Sequence, residues 1–148
     1  MRHLLRALLC LPLLVGGSLL AAPGASAAPA VRISYVYFDS PGSDTGSNTS
    51  LNAEYVKIKN FSSTSRRISG WTLRDKTGYT YKFPTFTIKP GATVTVHTGK
   101  GTASSTHRYY GYTRYVWNNS GDTAYLKNAS GTTIDTCSWT SAGSTKSC

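Results

Sequence analysis

Tyr55-Val56-Lys57-Ile58-Lys59 alternates strictly: in an extended chain Val56 and Ile58 point inward, Lys57 and Lys59 outward. Such a run is a strand with one face in a core and the other in water. Similar short runs lie on both sides of it. Upstream is Val31 to Phe38; downstream are Trp71-Thr72-Leu73, Tyr79 to Phe83 stopped by Pro84, and Thr93 to His97 after the Pro90-Gly91 turn. Thr123 to Lys127 and Thr132 to Thr136 make a final pair, joined by Asn128-Ala129-Ser130-Gly131 with a glycine available for positive φ. Seven or eight strands without a helical period predict a two-sheet sandwich, with a small closed barrel as the rival. Residues 39–50 read as one long polar loop, Ser62 to Ser65 as another, and Tyr109 to Trp117 as an aromatic segment.

Residues 1–30 differ from the rest. Arg2, His3 and Arg6 precede an uncharged apolar run from Ala7 to Leu20, and Ala25-Ser26-Ala27 follows. A basic start, a short apolar stretch and a small-x-small site predict a secretory signal peptide over 1–27, with one domain over 28–148 and no membrane span after cleavage. Pro12 and Gly16-Gly17 argue against an anchor.

The mature chain then keeps 14 of the 16 Lys and Arg and all 6 acids, a formal charge of +8. Glu54 is its only Glu, and Leu51, Leu73 and Leu126 its only leucines, whereas all 17 aromatics remain (3 Trp, 10 Tyr, 4 Phe). Strong helix formers are scarce and Thr, Val, Ile and Tyr abundant, so the domain is expected to be all-β. Cys137 and Cys148 are its only cysteines, and an even pair in an exported chain predicts a disulfide.

The strands also carry recognisable motifs. Asn52-Ala53-Glu54-Tyr55-Val56-Lys57-Ile58-Lys59-Asn60, Ser69-Gly70-Trp71-Thr72-Leu73-Arg74-Asp75, Tyr81-Lys82-Phe83-Pro84, Pro90 to Val96, Asn118 to Leu126 and Gly131 to Asp135 together resemble the lamin tail domain, in order, from about Val31 to Trp139. The resemblance implies an immunoglobulin-like two-sheet β-sandwich and, for bacterial secreted members, a binding or adhesion role. Filament assembly is not implied, since the rod of nuclear lamins has no counterpart in this sequence. Trp71 and Leu73 are expected in the inter-sheet core, and Asn60 is expected to close a strand end.

Catalysis finds little footing. Gly-x-Ser-x-Gly, a zinc-protease helix and a phosphate loop do not occur, and His97 and His107 read as surface histidines. No cofactor is expected. Asp39, Asp44, Asn48 and Asn52 form a weak candidate calcium loop, though Asx turns explain the same composition. The four Asn-x-Ser/Thr sequons at Asn48, Asn60, Asn118 and Asn128 are given no role in a bacterial exported protein. A +8 domain is drawn to polyanions, and the basic and aromatic strip of Arg108, Tyr110, Tyr112 and Arg114, with Arg66 and Arg67 in a solvent-facing loop, is the candidate binding set. The expectation is a secreted, non-catalytic binding or adhesion module at the cell surface, for nucleic acid or an anionic wall polymer. The alternatives are a structural surface domain with a protein partner and a carbohydrate-binding module.

Overall fold

The computed structural model describes residues 26–148; the leader reading falls almost wholly on residues outside these. The elements in order are β1 (Val31–Tyr37), α1 (Asn48–Ala53), β2 (Tyr55–Asn60), β3 (Arg66–Arg67), β4 (Thr72–Arg74), β5 (Thr80–Lys82), β6 (Thr87–Ile88), β7 (Thr93–His97), β8 (His107–Tyr109), β9 (Gly121–Lys127), β10 (Thr133–Thr140) and β11 (Thr145–Ser147). A five-stranded sheet, β11-β1-β2-β7-β8, lies over a four-stranded one, β10-β9-β4-β5, and β3-β6 form a small pair beside them. This is the immunoglobulin-like sandwich; the open sheets dispose of the closed barrel. All pairings are antiparallel except β7 with β8.

The core follows the alternation. Val56 and Ile58 from β2, Val94 and Val96 from β7, and Ile33 and Val36 from β1 meet Leu73, Ala124 and Leu126 from the other sheet, all fully buried. Phe38, Trp117 and Trp139 fill one end, Phe38 stacked on Trp139 at 5.0 Å and Trp117 edge-on to Trp139 at 5.8 Å. Trp71 does not join them: it sits before β4, half-buried against the core, while Leu73 is buried as expected. Its backbone closes a turn, the N–H donating to Ile68 and the carbonyl accepting from Phe83. Asn60 is fully buried; its amide donates to the carbonyls of Thr64, Ile88 and Lys89 and its oxygen accepts from Ser62.

Two further departures have local causes. The polar stretch 39–50 ends in α1, which has one buried residue, Leu51, too few for a periodic signal; the Oγ of Ser47 caps it by accepting from the Ser50 N–H at 3.2 Å. Arg66 and Arg67 lie in a two-residue strand rather than a loop, because β6 pairs with them.

β1 carries a bulge between Ile33 and Tyr35, which resets the alternation so that Arg32 as well as Tyr35 and Tyr37 face outward. The Ile33 N–H freed there donates to Asp135 Oδ2 at 2.8 Å, linking β1 to β10 across the sheets. Cys137 of β10 is disulfide-bonded to Cys148, just after β11, with Cα atoms 5.9 Å apart, so the same side of the sandwich is closed covalently.

Candidate functional site

The anticipated binding residues are engaged in different ways. After Tyr109 the chain leaves the strand, turning at Gly111 with φ 80°, so alternation no longer decides which rings face water. Tyr110 packs against Tyr81, Tyr112 and Trp117 and its hydroxyl donates to the Leu73 carbonyl at 2.9 Å. Burial holds that phenol well above its ordinary range. Tyr110 is half-buried with its ring packed against the core and its hydroxyl bonded there, which corrects its reading as a free stacking residue. Tyr112 is half-buried, edge-on to Tyr79 at 5.4 Å. The Arg108 guanidinium lies 4.2 Å over the Phe86 ring, and exposed Arg114 donates to the Tyr79 hydroxyl. Arg66 and Arg67 are exposed, tied to Ser62 and Ser69.

The four calcium candidates are not gathered into one oxygen set. Asp39 accepts from Asn119 and Ser144, and Asp44 from Ser40, whereas the amides of Asn48 and Asn52 both donate to the Lys100 carbonyl. Among the described residues no group of three or more His, Cys, Asp or Glu could hold a metal.

A different surface concentrates aromatic and cationic groups: the outer face of the five-stranded sheet. Register places Tyr37, Tyr55, His97 and Tyr109 in one row across β1, β2, β7 and β8, with Tyr35, Lys57, Thr95 and His107 in the next and Arg32, Lys59 and Thr93 beyond. Ring centroids along the first row are 5.5, 5.7 and 5.1 Å apart. The Lys57 ammonium lies 5.4 Å from the Tyr35 ring and 5.5 Å from Tyr55, and Arg32 sits 3.7 Å over Phe61, which Lys59 also approaches at 5.1 Å. Phe61 is the exposed large hydrophobic residue among those described.

His97 and His107 belong to this face, where they form a pair rather than two isolated surface groups. His97 Nδ1 is 2.7 Å from the Asn52 carbonyl, and its Nε2 is 2.9 Å from His107 Nδ1. A carbonyl only accepts, so His97 carries its hydrogen on Nδ1, and its Nε2 accepts from His107. Burial, aided by the neighbouring His107, lowers the His97 pKa, although the Asn52 carbonyl opposes this.

The carboxylates point elsewhere. Glu54 accepts from the backbone of Val116 and Trp117, Asp75 from Thr77, Gly78 and Tyr79, Asp122 from the backbone of Lys76, Asn118 and Thr123, and Asp135 from Ile33. Among the described residues, the acids accept hydrogen bonds from backbone N–H groups, hydroxyls and the Asn119 amide, and none from a Lys or Arg side chain. The acids hold turns and strand ends, which leaves the cations of the surface without carboxylate partners. Part of this is legible in the sequence, where alternation turns Lys57 and Lys59 outward. Alternation in β2 marks Tyr55 as well, but Tyr35 and Tyr37 face outward only because of the bulge in β1, and only the register shows that the three line up with His97 and Tyr109.

A family model for the lamin tail domain matches residues 24–141. No curated protein is similar enough to this chain to count as a match.

Proposed function

The chain belongs to the lamin tail domain family, and from that premise we propose that it is an exported, non-catalytic binding module that recognises an anionic polymer, nucleic acid or a cell-wall polymer, through the outer face of its five-stranded sheet. The observation that carries this reading is that, among the described residues, no carboxylate accepts a hydrogen bond from Arg32, Lys57 or Lys59. With the acids engaged by backbone, hydroxyl and amide donors, Arg32, Lys57 and Lys59 project a positive potential that no hydrogen-bonded carboxylate cancels, beside rings able to pack against bases or sugars.

Binding of labelled single-stranded DNA and of labelled poly(glycerol phosphate), read by anisotropy at about 50 and about 200 mM salt, tests it, because neutralised phosphates release counterions. Affinity should fall on the order of tenfold between the two, and Lys57→Ser with Lys59→Ser should lower the salt slope by roughly 1 per lysine. Whichever polymer binds identifies the source of the phosphates. Salt-independent binding, or binding indifferent to the double variant, would reject the reading.

A second reading, a carbohydrate module, is favoured by one feature. A cleft of about 340 Å³ beside the β4–β5 turn is walled by Tyr79, Tyr115 and Trp117. A neutral polysaccharide bound there should be insensitive to salt and should be lost on Tyr79→Ala, with the charge variants unaffected.

A further inference from the structure

The opposite face of the sandwich has a cationic feature of its own. On β4, Leu73 is buried and Arg74 exposed; on β9, Leu126 is buried while Tyr125 and Lys127 point away from the core. Register sets Arg74 opposite Tyr125, and Lys127 lies two residues further along the same side. Lys76 reaches the same place from the β4–β5 turn. Together Arg74, Lys76, Tyr125 and Lys127 line a concavity of about 200 Å³.

Asp75 also borders it, but its carboxylate is buried and turned into the β4–β5 turn, accepting from Thr77, Gly78 and Tyr79. Gly78 lies alongside Arg74: a Cβ there would stand 3.6 Å from Nη2, so the turn packs close to the guanidinium. Three cations and a phenol thus surround a space large enough for one phosphate group with its ester neighbours. Arginine can meet two phosphate oxygens at once, and the lysines add point charges.

We propose that this concavity is a second anion-binding site, taking a phosphate group of a polyanion, and that one copy of the chain therefore holds two strands, one on each outer face. The bridging half of this inference rests on the binding role proposed above for the five-stranded sheet; the site itself does not.

Two measurements on the purified protein separate them. In the first, inorganic phosphate is titrated while backbone amide resonances are followed; the amides of Lys76, Tyr125 and Lys127 should shift in a saturable way, and Arg74→Ser with Lys127→Ser should abolish the shifts while the rest of the spectrum stays folded. In the second, the protein is loaded onto surface-tethered DNA and offered a second, labelled DNA. The wild type should capture it, and Arg74→Ser with Lys127→Ser should reduce capture at least tenfold while changing binding to the tethered strand no more than about twofold. Absence of saturable shifts in the wild type, or undiminished capture by the variant, overturns the proposal. If Lys57→Ser with Lys59→Ser leaves binding to the tethered DNA intact, the reading of the five-stranded sheet fails, yet the phosphate titration still reads the second site.

Discussion

Glu54 carries a carboxyl into a fully buried position at the start of β2 and offers it to the backbone N–H groups of Val116 and Trp117. Burial outweighs those two donors and pushes its pKa up to about 8. A raised carboxyl means that the folded state binds more protons than the unfolded one between about pH 4.5 and 8. Its stabilising contribution is therefore complete below that window and lost as pH rises through it, at no more than about 1.4 kcal/mol per pH unit. His97 works in the other direction: its lowered pKa makes its contribution present above its ordinary value near 6.5 and lost as pH falls through the folded value. Glu54→Gln should thus flatten the loss of stability from about pH 6 to 8; urea midpoints across that range that decline as in the wild type would contradict it. A second expectation concerns tryptophan. Trp117→Ala should cost roughly 3 to 5 kcal/mol, because Trp117 is buried against Trp139 and Tyr110, whereas half-buried Trp71→Ala should cost distinctly less. Equal urea midpoints for the two variants would mean that burial is not what separates them. Alternation in the sequence points to Trp71 for the core and leaves Trp117 in an aromatic segment; the turn that ends before β4 holds Trp71 out of the core.

At the scale of elements, legibility depended on length and on partner. β1, β2, β7 and β9 were readable because four or more alternating residues bury one face against the core. α1 was not, since six residues with a single buried side chain carry no period. β3 and β6 exist only through each other, and β8 is short and parallel. The face itself was half legible: alternation exposes Lys57 and Lys59, but cross-strand register is a tertiary property. The disulfide is the one long-range pairing that residue counting could supply, because two cysteines allow a single partner choice. It closes a loop with a sequence separation of 11, for which chain entropy gives about 3 kcal/mol. Cys137→Ser with Cys148→Ser should therefore unfold at lower urea, with a loss of stability of up to that amount; an unaltered midpoint would show that the pair adds nothing to stability.

For the whole molecule, the placement of charge matters more than its sum. Cations face outward from both sheets, and among the described residues no acid accepts a hydrogen bond from them, so the two outer faces should respond to salt alike even though they differ in shape. Charge replacements on the two faces are separated by the core and should combine additively in their effect on binding to a single strand; strong coupling in a double-variant cycle would point to one continuous surface instead. The covalent link after β11 has a further consequence. It holds β11 against the outer edge of β1, satisfying backbone groups that would otherwise be available to another chain. Reduction should therefore do more than loosen a terminus: it turns Val31–Tyr37 into an open template, and at high concentration the chains should exchange strands, appearing by size exclusion as dimers that retain β-sheet circular dichroism and dissociate only when the protein is unfolded and reoxidised dilute.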